Sequence, residues 1–161
     1  MHLHRLFTLW VTAVCFVACS SGRAQQPATD QSTPQATLPE ALCDLLPQAD
    51  AERIMGKPLA KQRDDDSGCH YEDARGTAGT GLFIFLNALE VSDQCRLTSG
   101  SEPLRGVGDE ACIAVGLPAG MYTTVVFRGG GRTFEVVAPG RDRASELATA
   151  AAKVILSKLG S

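Results

Sequence analysis

The chain has 161 residues, with 15 Lys and Arg against 18 Asp and Glu for a net charge of −3, and only 6% aromatic side chains. A mildly acidic chain of this size does not offer the basic patch that nucleic acid or an anionic membrane surface requires. No repeat of solenoid length is visible, which sets aside the stacked-repeat architectures.

Positive charge lies at the amino terminus and Arg5, and residues 6–18 then run thirteen positions without a charge. A helix needs about 20 apolar residues to cross a ~30 Å hydrocarbon core, so this run has the length of a signal-peptide apolar region. It ends Phe16, Val17, Ala18, Cys19, which resembles the bacterial lipobox, with Phe16 where Leu is usual. Ala18 supplies the small side chain before the cut and Cys19 the thiol that takes lipid. Cys15 fits less well, because Thr12, Ala13 and Val14 lack the large apolar residue. Ordinary secretion, with cleavage after Ala24 and Gly22 as the second small residue, is the competing reading. Several acyl chains on Cys19 would make anchoring stable where one is marginal.

Residues 20–38, SSGRAQQPATDQSTPQATL, hold no aromatic residue and one large aliphatic at the end. Such a stretch buries too little apolar surface to offset the entropy of ordering, and it reads as a disordered tether. The expected organisation is a leader over 1–18, a lipidated Cys19 and tether over 19–38, and one domain over 39–161. Losing Arg5 with the leader leaves 14 basic against 18 acidic residues, a charge of −4.

Within that domain, LLPQADAERIMG at 45–56 predicts a short helix, with Pro47 near its start and Gly56 where a terminating glycine belongs. GCHYE at 68–72 reads as a strand. GLFIFLNAL at 81–89 reads as a stronger one, apolar on both faces from Leu82 to Leu86 and therefore expected to be central and covered on both sides. A polar segment over 91–105 has room for a short helix, and the turn through Gly106 and Gly108 feeds a strand at 110–115. MYTTVVFRGGGRTFEVVAP is the clearest hairpin, with Val125 and Phe127 facing Phe134 and Val136 across a turn at Gly129, Gly130 and Gly131. The last segment places Leu147, Ala148, Ala151, Val154 and Ile155 on one helical stripe, with Asp142 positioned to cap and Gly160 to stop. The expected fold class is α+β: an antiparallel sheet of about five strands, packed by a C-terminal helix and a short N-terminal helix.

Six cysteines are present, and the leader and lipid account for Cys15 and Cys19. Cys43, Cys69, Cys95 and Cys112 remain, an even number that in an oxidising compartment reads as two disulfides. Three pairings are open; Cys43 with Cys69 and Cys95 with Cys112 is preferred because each closes a local loop, worth about 3 kcal/mol apiece in the chain-entropy model. Gaps of 26, 26 and 17 positions lack the close pairs of a zinc site.

Catalytic signatures are scarce. The mature chain has one histidine, His70, beside Cys69, and no GxSxG, HExxH, Walker or SxxK motif occurs. GVGDEA at 106–111 has the spacing of a dinucleotide loop but leads into a β-rich stretch instead of a helix. Asp109 and Glu110 are adjacent and would point to opposite faces of a strand, and DDDSG at 64–68 lacks the spacing of an EF-hand. No enzyme activity, metal or cofactor is therefore expected.

The succession of an early Cys, LLPQADAERIMG, CHYED, LRGVGDEAC and a terminal amphipathic helix, behind a lipobox and polar tether, resembles the small uncharacterised bacterial lipoproteins best known from mycobacteria. The resemblance spans most of residues 42–159 and implies an extracytoplasmic α+β domain; it carries over no catalytic residue. The expected function is a lipid-anchored, non-enzymatic binding or accessory domain of the cell envelope, on the periplasmic or extracellular face. It would hold an envelope protein by its sheet or loops, with Tyr122, Arg128 and Arg132 as candidate contacts. The alternative is a carrier of a small apolar ligand, with Phe83 and Phe85 lining a cavity under the last helix.

Overall fold

The computed structural model describes residues 42–65, 68–73, 80–117, 121–140 and 143–160. The leader, Cys19, the tether and Asp142 lie outside the described residues. The chain enters through a 3-10 turn at Leu42–Leu45 and helix α1 at Gln48–Met55. Pro47 stands at the N-cap with extended ψ, and the Pro47 carbonyl accepts from the amides of Asp50 and Ala51. Gly56 ends the helix in the left-handed region, at φ 69°, where its amide reaches the Glu52 carbonyl at 2.8 Å.

Seven strands follow: β1 (Leu59–Asp65), β2 (Gly68–Asp73), β3 (Leu82–Asn87), β4 (Ser101–Pro103), β5 (Ala111–Leu117), β6 (Tyr122–Gly129) and β7 (Arg132–Pro139). Helix α2 (Val91–Leu97) separates β3 from β4, and α3 (Ala144–Leu159) closes the chain. The strands form one antiparallel sheet in the order β1-β2-β3-β7-β6-β5-β4. The fold is thus α+β, with two strands more than expected.

Both additional strands, β1 and β4, are sheet edges, which is why hydrophobic patterning missed them. An edge strand bonds to one neighbour only and is commonly kept short, charged or interrupted by proline to prevent further pairing. The β1 sequence LAKQRDD is largely charged, and β4 is three residues ending in Pro103. The β6–β7 hairpin has Gly129 opposite Arg132 and turns through Gly130 and Gly131, at φ 54° and 75°. Two successive positive φ values are the requirement of the hairpin turn whose twist matches its strands, and glycine meets it without strain.

The inner face of the sheet carries the core. Tyr71, Leu82, Ile84, Phe127, Phe134 and Val136 are fully buried there, with Phe127 and Phe134 stacked at 5.5 Å. Helix α3 lies over the β6 and β7 part of this face through Ala144, Ala148, Ala151, Ala152, Ile155 and Leu156, and the entry turn lies over β2 and β3, with Leu45, Leu46, Ala51 and Ile54 completing the cluster. The alanine stripe lets the helix axis approach the sheet closely; even a Cβ added at Gly129 would stand 2.9 Å from the side chains of Leu156 and Leu159. The helix starts after Arg143, whose side chain makes no cap hydrogen bond.

Cys43 and Cys69 form one disulfide and Cys95 and Cys112 the other. The first ties the entry turn to β2 inside the core. The second ties α2 to β5 on the outer face, where Val91, Cys112 and Val126 form a small separate cluster.

Candidate binding face

Strand alternation decides what the outer face displays. With Leu82 and Ile84 turned inward, Phe83 and Phe85 point outward; with Cys69 and Tyr71 inward, His70 points outward. On β7 the same rule puts Glu135 and Val137 outside between the buried Phe134, Val136 and Ala138. Register aligns them: His70 opposite Phe83, Phe83 opposite Val137, and Phe85 opposite Glu135. Tyr122 joins at the far end of β6.

The rings form a ladder. His70 meets Phe83 edge-on at 4.8 Å and Phe85 at 5.6 Å, and Phe83 meets Tyr122 edge-on at 6.5 Å. Edge-to-face pairs of this kind are worth about 0.5–1.5 kcal/mol beyond the area they bury. All four rings and Val137 are half-buried, because α2 covers only the other end of this face, over Cys112 and Val126. The expectation that β3 is covered on both sides is therefore corrected in part: it is an interior strand between β2 and β7, Leu82 and Ile84 on its inner face are fully buried, and Phe83 and Phe85 on its outer face are only half-buried. The placement of Phe83 and Phe85 beneath the last helix is corrected by the same alternation, since α3 packs on the opposite face. Beneath α3 lie the inner faces of β6 and β7, with Phe127, Phe134 and Val136, while the entry turn lies over β2 and β3.

One carboxylate belongs to this face. Glu135 Oε2 accepts from Asn87 Nδ2 and from Gln94 Nε2, both at 3.4 Å and hence weakly. Among the described residues nothing donates to its Oε1. Burial raises the Glu135 pKa, an effect the Asn87 hydrogen bond partly offsets.

The three candidate contacts do not come together. Tyr122 lies in the ring ladder, half-buried. Arg128 lies six residues further along β6, about 20 Å away at strand rise, and its Nη2 donates to Glu90 and, at 3.4 Å, to Glu110. The Glu90 hydrogen bond holds the guanidinium pKa above its usual value, with partial burial opposing and Glu110 assisting. Arg128 is thus a tie between β6, the start of α2 and the start of β5. Arg132 is exposed at the hairpin and borders an open cleft of about 410 Å³ with Leu86, Asn87 and Leu89. Asp109 is exposed in the glycine turn, and Glu110 faces Arg128, so the two carboxylates do not act on a common point. Among the described residues, no three His, Cys, Asp or Glu side chains gather where they could hold a metal ion.

Glu135 and Val137 are the members of this face that sequence reasoning did not single out. The signal was present in RTFEVVAP, where two large apolar residues flank a glutamate at alternate positions and so force it to the other face. What was missing was the neighbour, because register with Phe85 is set by pairing with a strand some 50 residues earlier in the chain. No family model matches the chain, and neither the curated proteins nor the solved structures contain a significant match to it.

Proposed function

We propose that this chain is a lipid-anchored, non-enzymatic binding domain of the bacterial cell envelope that holds a protein partner on the outer face of its sheet. The observation that carries the reading is the ring ladder of His70, Phe83, Phe85 and Tyr122, left half-open where a helix could have covered it. Contiguous apolar surface rimmed by polar groups marks interaction sites in proteins of this size. Aromatic side chains are also enriched where partners bury surface.

Two disulfides fit an oxidising, extracytoplasmic location. Among the described residues no helix is long and apolar enough to cross a membrane. On this reading Cys19 carries the lipid and residues 20–38 form the leash, as in the small mycobacterial-type lipoproteins that the sequence resembles.

A photo-crosslinking amino acid placed at Tyr122 or Phe85 in cells tests the face, with Ser157 on the exposed side of α3 as the control. Discrete adducts from the outer-face positions alone are expected. Equal adducts from Ser157, or none from either face position, would refute the assignment. Intact mass of the membrane-extracted protein tests the anchor: it should begin at diacylated or triacylated Cys19 and release four thiols only on reduction.

A further inference from the structure

We infer that the segment docking on the outer face is basic as well as apolar, and that it sets a Lys or Arg side chain against Glu135 beside the Phe83 and Phe85 rings. The inference rests on the proposed function and specifies the chemistry of its partner.

Glu135 is the feature that calls for it. A strand position between two core residues, opposite Phe85 and beside Val126, is one that an apolar side chain would fill with gain. The chain instead puts a carboxylate there, half-buried, and satisfies only one of its oxygens, with two long amide hydrogen bonds. Amides orient a carboxylate without neutralising it. Arg128, a cation on the same face, is engaged by Glu90 and Glu110 and has no ion pair with Glu135. Glu72, half-buried at the outer end of β2, adds a second negative group to the face. The charge thus lacks a counterpart among the described residues, and removing a carboxylate from water without one is costly.

An incoming ammonium or guanidinium supplies that counterpart. Its charge pairs with the open oxygen, and its methylene stem lies along the phenylalanine rings, the arrangement in which long basic side chains cover apolar surface. The cation also benefits from the negative faces of the aromatic rings. A segment with Glu or Asp at the same point would meet Glu135 as a like charge, which gives the face selectivity as well as affinity. The domain's acidic balance acts in the same direction at longer range.

The test uses the full lipoprotein in detergent micelles and two fluorescein-labelled, blocked pentapeptides that differ only in a central Lys or Glu between aromatic neighbours. Fluorescence polarisation should give at least tenfold tighter binding of the Lys peptide, with the difference shrinking as salt is raised. Glu135→Gln should cut the preference to threefold or less while its melting temperature stays equal or rises. Ser157→Ala, on the exposed side of α3 away from this face, should keep the preference. Equal binding of both peptides, binding of neither, or an undiminished preference in Glu135→Gln would overturn the inference. Outer-face crosslinks in cells alongside any of those results would leave the binding reading standing and remove only the cationic partner; loss of the crosslinks would remove both.

Discussion

Replacing Tyr71 by Phe removes a single oxygen atom from the centre of the inner face. The hydroxyl is fully buried and shares its proton between the carbonyl oxygens of Cys43, at 3.0 Å, and Leu46. Those two groups belong to the entry turn and the residue that follows it, and the residues that carry them are themselves buried. Loss of the hydrogen bond costs about 1 kcal/mol, and leaving buried acceptors unserved adds to it, for a total of roughly 1.5–3 kcal/mol. For a domain of this size that lowers Tm by roughly 5–12 °C. Urea denaturation followed by circular dichroism should show the midpoint falling by about 1 M with the slope unchanged. A loss below about 0.5 kcal/mol would mean that water reaches the entry turn and that the bridge contributes nothing.

The same phenol has a pH signature. Burial, with the Asp44 charge assisting, pushes its pKa up to about 12. Because the folded value lies above the unfolded one of about 10, the unfolded chain ionises first on raising the pH. The stabilisation is complete below pH 10 and is lost between there and 12. The gap between the wild-type chain and Tyr71→Phe should close across that interval, and a constant gap would argue against burial of the hydroxyl.

Other expectations concern the outer face, the crosslinks and one close backbone approach. Glu135 has a folded pKa raised by burial, so its charge weighs against the folded state once pH exceeds the ordinary glutamate value of about 4.3. Stability should fall as pH rises from there through the raised value, and Glu135→Gln should flatten that part of the curve and melt higher at neutral pH; a lower melting point for Glu135→Gln would contradict this. Cys95 is half-buried beside a surface cleft, whereas Cys43 and Cys69 are fully inside. Mild reductant under native conditions should therefore open Cys95–Cys112 first, with α2 showing faster amide exchange while the core signal persists, and simultaneous reduction would refute the difference in access. Gly81→Ala would place a Cβ 2.2 Å from the Tyr71 carbonyl oxygen, a clash with backbone that cannot rotate away. It should destabilise by about 2 kcal/mol or more, at the upper end of the usual single-substitution range, and an effect near zero in urea denaturation would show that the β2–β3 crossing is looser than this.

Local chemistry settled the interior elements. Pro47 and Gly56 bracket α1 because proline suits a helix start and glycine the left-handed residue after its end. Gly130 and Gly131 form the hairpin turn for the same conformational reason, and apolar spacing marked α3, β2, β3 and the β6–β7 pair. The parity of the four cysteines pointed to two crosslinks, and two are present. Each of these signals is carried by residues close together in the chain, so the sequence alone could display it.

Long-range pairing decided the rest. The edge strands β1 and β4 take their conformation from a neighbour that supplies hydrogen bonds, so their own polar sequences carry no strand pattern. Whether Phe83 and Phe85 fill a core or face water depended on which side of the sheet α3 would cover, and nothing within LFIFLN distinguishes its two apolar faces. Glu135 became notable only when the register set it opposite Phe85, with Gln94 approaching from α2. Arg128 changed from a free surface cation to an internal tie because Glu90 and Glu110, far from it in the chain, converge on its guanidinium. Residue type and spacing specify conformations that a few neighbouring bonds can enforce; the contents of each sheet face follow only from how strands distant in sequence come to lie side by side.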